Sequence, residues 1–151
     1  MTRALIADPD LVNKVRRGTP ERIRPCTLCN QRCQVQDARN PIVSCMVEPS
    51  AGHELNDPAW ESPAPTAPQE LTILGGGIAG LETARIAATR GHAVRVLEQS
   101  HELGGAALGF VRAPGFGRTQ MFVDWLVQEV TSLGVSIQLG HTATHDAVTE
   151  D

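Results

Sequence analysis

The six residues Gly75-Gly76-Gly77-Ile78-Ala79-Gly80 constrain this chain more than any other stretch. They carry G-x-G-x-x-G directly after a short apolar run, Leu71-Thr72-Ile73-Leu74, and directly before a helical pattern from Ile78 to about Arg90 that Gly91 stops. In that setting each glycine has a task. Gly75 permits a tight turn, Gly77 lets a pyrophosphate approach the backbone, and Gly80 lets helix and strand pack closely. The amides of Ile78, Ala79 and Gly80, at the mouth of the helix, offer hydrogen bonds and partial positive charge to an anion. Ala84 keeps the same helix face small. A second strand, Ala93-Val94-Arg95-Val96-Leu97, ends at Glu98, which falls about 20 residues on, where a carboxylate accepts ribose hydroxyls and repels a 2′-phosphate. A chance glycine turn would not bring the strand, the helix and the acid into register.

The pattern then continues. Thr119 to Leu133 reads as a helix stopped by Gly134, and Val135-Ser136-Ile137-Gln138-Leu139 as a third strand. Strand, helix, strand, helix, strand with short connections specifies an α/β fold with a parallel sheet and right-handed crossovers. Phe122, Trp125 and Met121 on the third-unit helix read as core. A second glycine pair, Leu103-Gly104-Gly105, follows Glu98. A pair so placed tilts the adenine-bearing cofactor towards FAD rather than NAD, against the alternative of an ordinary loop. No internal repeat is evident.

Four cysteines stand at 26, 29, 33 and 45, and the remaining two-thirds of the chain has none. A disulfide framework spreads its cysteines; bunching reads as a metal or cluster site in a reducing compartment. The spacing Cys26-x2-Cys29-x3-Cys33-x11-Cys45 gives three close thiolates and one that returns from a distance. A [4Fe–4S] cluster takes such a set. Tetrahedral zinc is the rival, although it usually shows two knuckles, and Cys33 and Cys45 are too far apart to make the second.

Flanking segments are less regular. In residues 1–20, Asp8 is expected to cap a helix with Pro9 at its first position, Leu11, Val12 and Val15 along one side and Gly18 as its stop. Alone that helix could not bury its apolar face, and it reads as the tail of something larger. Pro58, Pro63, Pro65 and Pro68 mark a linker over 57–70. The basic stretch Arg16, Arg17, Arg22 and Arg24, beside the cysteines, has the charge to stabilise thiolates or a cluster, against the plainer reading of a solvated face. His53 and His101 read as loop histidines near the cysteine segment and the glycine pair, and His141 and His145 as part of a polar tail. A net charge of −4 leaves no electrostatic footprint for nucleic acid or an anionic membrane. No apolar run approaches the roughly 20 residues of a membrane helix. Asp8, Asp10, Lys14, Arg16 and Arg17 interrupt any signal-peptide core. A cytoplasmic protein is expected. With 3% aromatics and no tyrosine, its core must rest on Leu, Ile, Val and Ala.

Taken together, these residues resemble the C-terminal half of multidomain old yellow enzyme relatives such as 2,4-dienoyl-CoA reductase and trimethylamine dehydrogenase. Arg24-Pro25-Cys26-Thr27-Leu28-Cys29-Asn30-Gln31-Arg32-Cys33 is similar to the family's cluster motif. Ser44 to Pro49, with Gly52 and Glu54, is similar to its closing segment; Thr72 to Ala84, Glu98 and Leu103-Gly104-Gly105 match the start of its FAD domain. The resemblance implies a remnant of a TIM (FMN) barrel at 1–20, an irregular [4Fe–4S] segment at 21–56 on Cys26, Cys29, Cys33 and Cys45, and a partial Rossmann-like FAD/NAD(P)-binding sheet at 71–151. It implies FAD on Gly75, Gly77, Ile78, Ala79, Gly80, Glu98, Gly104 and Gly105, and Arg3 as an FMN contact. The implied electron route is NAD(P)H to FAD, through the cluster, to FMN and substrate; amine dehydrogenases send electrons from FMN through the cluster to an external acceptor. The implied partner is an FMN-binding barrel, as a domain or a subunit. Ala106 stands where family members often carry Gln, and Glu48 where they often carry Asn. The barrel bulk and the NAD(P)H-binding unit are not in this chain, which by itself should not turn over substrate. Two other readings are a zinc-stabilised adenine-nucleotide module without redox activity, and a truncated product that does not fold stably.

Overall fold

The computed structural model describes residues 2–35, 37–39, 41–55 and 67–143. In chain order the helices α1 (Thr2–Ala7) and α2 (Leu11–Arg16) precede a 3-10 turn at Pro20–Arg22 and the irregular cysteine segment. Then come β1 (Glu70–Leu74), α3 (Ile78–Thr89), β2 (Ala93–Glu98), α4 (Ala107–Val111), α5 (Gly117–Ser132) and β3 (Ser136–Leu139). All but a few residues of the expected linker, and His145, lie outside the described residues; Glu70, its last residue, opens β1.

The sheet has the order β1-β2-β3, all parallel, with Leu71 opposite Val94 and Val96 opposite Ile137. β2 lies in the middle, which is why Val94, Val96 and Leu97 are buried in an almost continuous apolar run. Helix α3 packs on β1 and β2, and α5 packs on α3. Leu81, Ala84, Phe122, Trp125, Leu126 and Val130 form the centre of the core, and each fully buried aliphatic side chain contributes about 1.5–3 kcal/mol. Ala7 and Val47 join this core, and Cys26 and Cys45 pack against it. The N-terminal tail and the cysteine segment therefore rest on the α/β unit.

Several sequence expectations need correction. Asp8 does not cap a helix: α1 ends before it, and α2 begins at Leu11 behind Asp10. The Asp8 carboxylate is buried and accepts instead from the amide of Asp10 (3.1 Å), from Lys14 Nζ (2.7 Å) and from the amide of Arg24 (2.7 Å). Met121 is 49% exposed, because it lies at the edge of the α5 face whose centre is Phe122, Leu126 and Glu129. The short α4 was not anticipated, and α5 starts two residues early at Gly117. The other strand and helix expectations hold to within a residue. The apolar residues Leu5, Val12 and Val15 of the first two helices remain exposed.

Candidate functional site

The loop from Gly75 to Gly77 joins the end of β1 to α3. Gly75 has φ +97°, a backbone conformation that side chains rarely tolerate. Gly80 sits inside α3, where an added Cβ would lie 2.0 Å from the carbonyl oxygen of Gly75, so the helix can approach the turn only as glycine. At Gly77, the residue that precedes the helix, an added Cβ would meet nothing within 4 Å. That side of the loop is open, and the first amides of α3, at Ile78, Ala79 and Gly80, have no carbonyl one turn earlier to bond.

The second glycine pair docks on this loop. The amide of Gly104 donates to the carbonyl of Gly76 at 2.8 Å, and Gly104 bridges Gly77 in parallel fashion. Gly105, at φ +54°, would place a Cβ 3.1 Å from the Cα of Gly77. Glycines on both sides thus let two backbones meet at the mouth of α3.

Glu98 lies behind the loop and is 6% exposed. One carboxylate oxygen accepts from the amide of Gly76 at 2.6 Å and the other from the amide of Ser100 at 2.7 Å. These amides, Ser100 first, hold the carboxyl below its ordinary range. The Ser100 side chain and the Gln99 amide also bond this carboxylate. His101, expected near the glycine pair, has its ring beside Gly140, after β3. The amide of His141 donates to the carbonyl of Glu98.

The four cysteines are unbridged; Cys29 is exposed and the other three are half-buried. The backbone folds round them. Leu28 and Asn30 adopt left-handed conformations, φ 57° and 52°, which cost a leucine about 1–2 kcal/mol. The Leu28 amide donates to Cys26 Sγ at 3.4 Å, and Arg118 Nε to the Cys26 carbonyl at 3.0 Å. A bond from the Ser44 amide to the Arg32 carbonyl, 3.0 Å, brings Cys45 back beside Cys33 in the chain's path. Among the described residues, however, no three His, Cys, Asp or Glu side chains converge on a common metal position. The donor chemistry and the returning backbone fit a four-thiolate group; the sulfurs are not gathered around one point. Arg3 Nη1 donates to Asn30 Oδ1 at 2.6 Å, tying α1 to the same segment.

Sequence reasoning overlooked what joins the two sites. Arg24, read as part of a solvated face, is 4% exposed. Its guanidinium bonds the carbonyl of Val47, pairs with Glu48 (3.4 Å) and Glu82 (2.9 Å), and lies 4.7 Å from the centroid of the Trp125 ring. Arg85 pairs with Glu82 and stands 5.9 Å from the same ring. Burial raises the Glu48 carboxyl despite Arg24. Burial also works to raise Glu82, but the bonds from Arg85 and the charge of Arg24 outweigh it and hold that carboxyl low. Arg22 too is engaged, on Glu129 of α5 at 2.9 Å. The one legible sign was the i, i+3 pair Glu82 and Arg85 on α3.

Residues 73–133 match the family model described as an NAD(P)-binding Rossmann-like domain. The chain is 42% identical to a metal reductase of Desulforamulus reducens over 98% of its own length and 22% of the relative's. Against a cinnamate reductase of Clostridium sporogenes it is 35% identical, again over 98% of this chain and 22% of the other. A solved 2-naphthoyl-CoA reductase superposes with a TM-score of 0.86 at 37% identity, over 97% of this chain and 22% of that one. By sequence and by fold the chain is a relative of the multidomain flavin oxidoreductases. It spans about a fifth of the length of the relatives it matches, 22% in each of these three. Among those oxidoreductases, the stretch it shares is the Rossmann-like unit together with the cysteine segment and the short helices before it. No described helix is long and apolar enough to cross a membrane.

Proposed function

We propose that the chain is the electron-transfer portion of an FAD- and [4Fe–4S]-dependent oxidoreductase of the dienoyl-CoA or enoate reductase type. The observation that carries this reading is the joint one. An open glycine loop with its acid at Glu98 and a segment of four free thiols are held on one core by a buried arginine. Gly75, Gly77, Gly80, Gly104 and Gly105 would let the pyrophosphate of FAD lie against backbone; Ile78, Ala79 and Gly80 would donate their amides; Glu98 would accept from its ribose. Cys26, Cys29, Cys33 and Cys45 would hold the cluster, with the Leu28 amide bonding a ligand sulfur. When bound, the flavin supplies two-electron chemistry and the cluster one-electron transfer.

In this reading electrons move between FAD and an FMN site on a barrel domain or subunit outside the chain, with NAD(P)H as the source or an external acceptor as the sink. Arg3 would reach towards that FMN. Unbridged thiols suit the cytoplasm. Iron and acid-labile sulfide analysis of anaerobically purified protein tests the cluster. Affinity for FAD or ADP in Glu98→Ala tests the ribose role: a weakened affinity is expected, and an unaltered one argues against it.

A further inference from the structure

Arg24 belongs to the cysteine segment by sequence and to the nucleotide-binding unit by contact. Its own backbone runs into Pro25 and Cys26. Through Nη1 and Nε it grips Val47 and Glu48, just beyond Cys45, so one guanidinium closes both ends of the segment. Through Nη2 it reaches Glu82. Glu82 lies four residues along α3 from Ile78, about one helical turn from the amides that face the open side of the glycine loop. The planar fork of five donors lets one side chain serve three acceptors in fixed, different directions. The cluster is balanced, two arginines against two glutamates, and Trp125 lies within reach of both arginines.

We propose that Arg24 is a positioning residue that couples occupancy of the dinucleotide loop to closure of the cysteine segment. A ligand bound to the amides of the first turn of α3 restrains Glu82 one turn on, and Glu82 restrains the arginine that holds the segment shut. This rests on the dinucleotide reading of the loop. It adds to that reading an energetic link between the two sites, which is necessarily reciprocal.

The test uses the full chain, reduced and metal-free, with ADP as the probe and a disulfide thiol reagent as the reporter. All four cysteines lie in the segment; Cys29 is exposed and reacts without opening, so the slower phase of the half-buried Cys26, Cys33 and Cys45 is the one that reads it. Where opening and reclosing are fast, the modification rate tracks the open population. Saturating ADP is expected to slow that phase by about fivefold or more, the usual scale of such coupling. Arg24→Lys keeps charge without the fork, and Glu82→Gln removes the carboxylate while leaving the grip on Val47 and Glu48. Each should abolish the protection and weaken ADP binding by the same factor. Circular dichroism checks that each variant is folded; if Arg24→Lys is not, Glu82→Gln decides. ADP binding to the unaltered chain without slowing its thiols overturns the proposal, as does full protection retained in a folded variant. Failure of ADP to bind at all refutes the dinucleotide reading itself, and this coupling with it.

Discussion

Substituting Gly80 with alanine isolates the close packing on which the nucleotide loop depends. Two effects oppose each other. In a helix interior alanine is favoured over glycine by about 1 kcal/mol. Against that, the new Cβ would lie 2.0 Å from the Gly75 carbonyl oxygen and 3.4 Å from Ile73 Cγ2. The nearer atom is backbone in a turn held by the Gly75 amide on Leu97 (2.8 Å), so it cannot rotate aside as a side chain would. Overpacking costs about 1–3 kcal/mol, and the rigid partner puts this case near the upper end. The expected net loss is about 2 kcal/mol, a fall in Tm of roughly 4–8 °C for a chain of this size. Thermal denaturation followed by far-ultraviolet circular dichroism measures it. Gly77→Ala is the matched control: its Cβ meets nothing, so stability should change by less than about 1 kcal/mol, while ADP affinity falls because the ligand's approach is blocked. A Gly80→Ala variant as stable as the parent would refute this reasoning, as would a Gly77→Ala variant equally damaged.

Three further outcomes follow from the core and its charges. Leu126→Ala, at a fully buried position, should cost about 2–5 kcal/mol in urea unfolding; a loss below 1 kcal/mol would show that α5 does not pack as described. The Glu98 carboxyl is held low in the fold by the amides of Ser100 and Gly76. It therefore contributes stability that is present above the ordinary carboxylate range and disappears as pH falls through its lowered folded value. Glu98→Gln should flatten that acid limb, and an unchanged limb would deny the Gly76 strut. For Glu48 the sign reverses. Burial raises its carboxyl, so stability is fullest below the ordinary value and is lost as pH rises through the raised folded value. Glu48→Gln should remove that fall in stability with rising pH, read by chemical denaturation across the acid-to-neutral range, with a fall of unchanged size as the contrary result.

The α/β half of the chain was legible because each element carries its own local signal. Leu71 to Leu74 and Ala93 to Leu97 are apolar runs of strand length, Gly91 and Gly134 stop the helices, and the glycine spacing, set between a strand and a helix, fits the turn that joins them. The short α4 was not, since five residues including Gly109 have little intrinsic helical tendency and are helical against α5. Arg24 escaped for a different reason. One arginine among four looks like solvent-facing charge, and its partners Glu48, Glu82 and Trp125 lie 24 to 101 positions away in sequence. Only the packing of α3 and α5 beneath the cysteine segment brings them together. Asp8 was misassigned because the pattern of a helix cap and that of a buried tie between two short helices use the same residue. Cysteine spacing disclosed a donor set, but not where the sulfurs stand.

The central claim is that the four cysteines serve a redox group beside a dinucleotide site. Metal and acid-labile sulfide analysis, with a visible spectrum, on anaerobically purified protein tests it most directly. The expected result is roughly four iron and four sulfide per chain with a broad brown absorbance. About one zinc and no sulfide would contradict it, leaving a structural metal site in place of an electron relay.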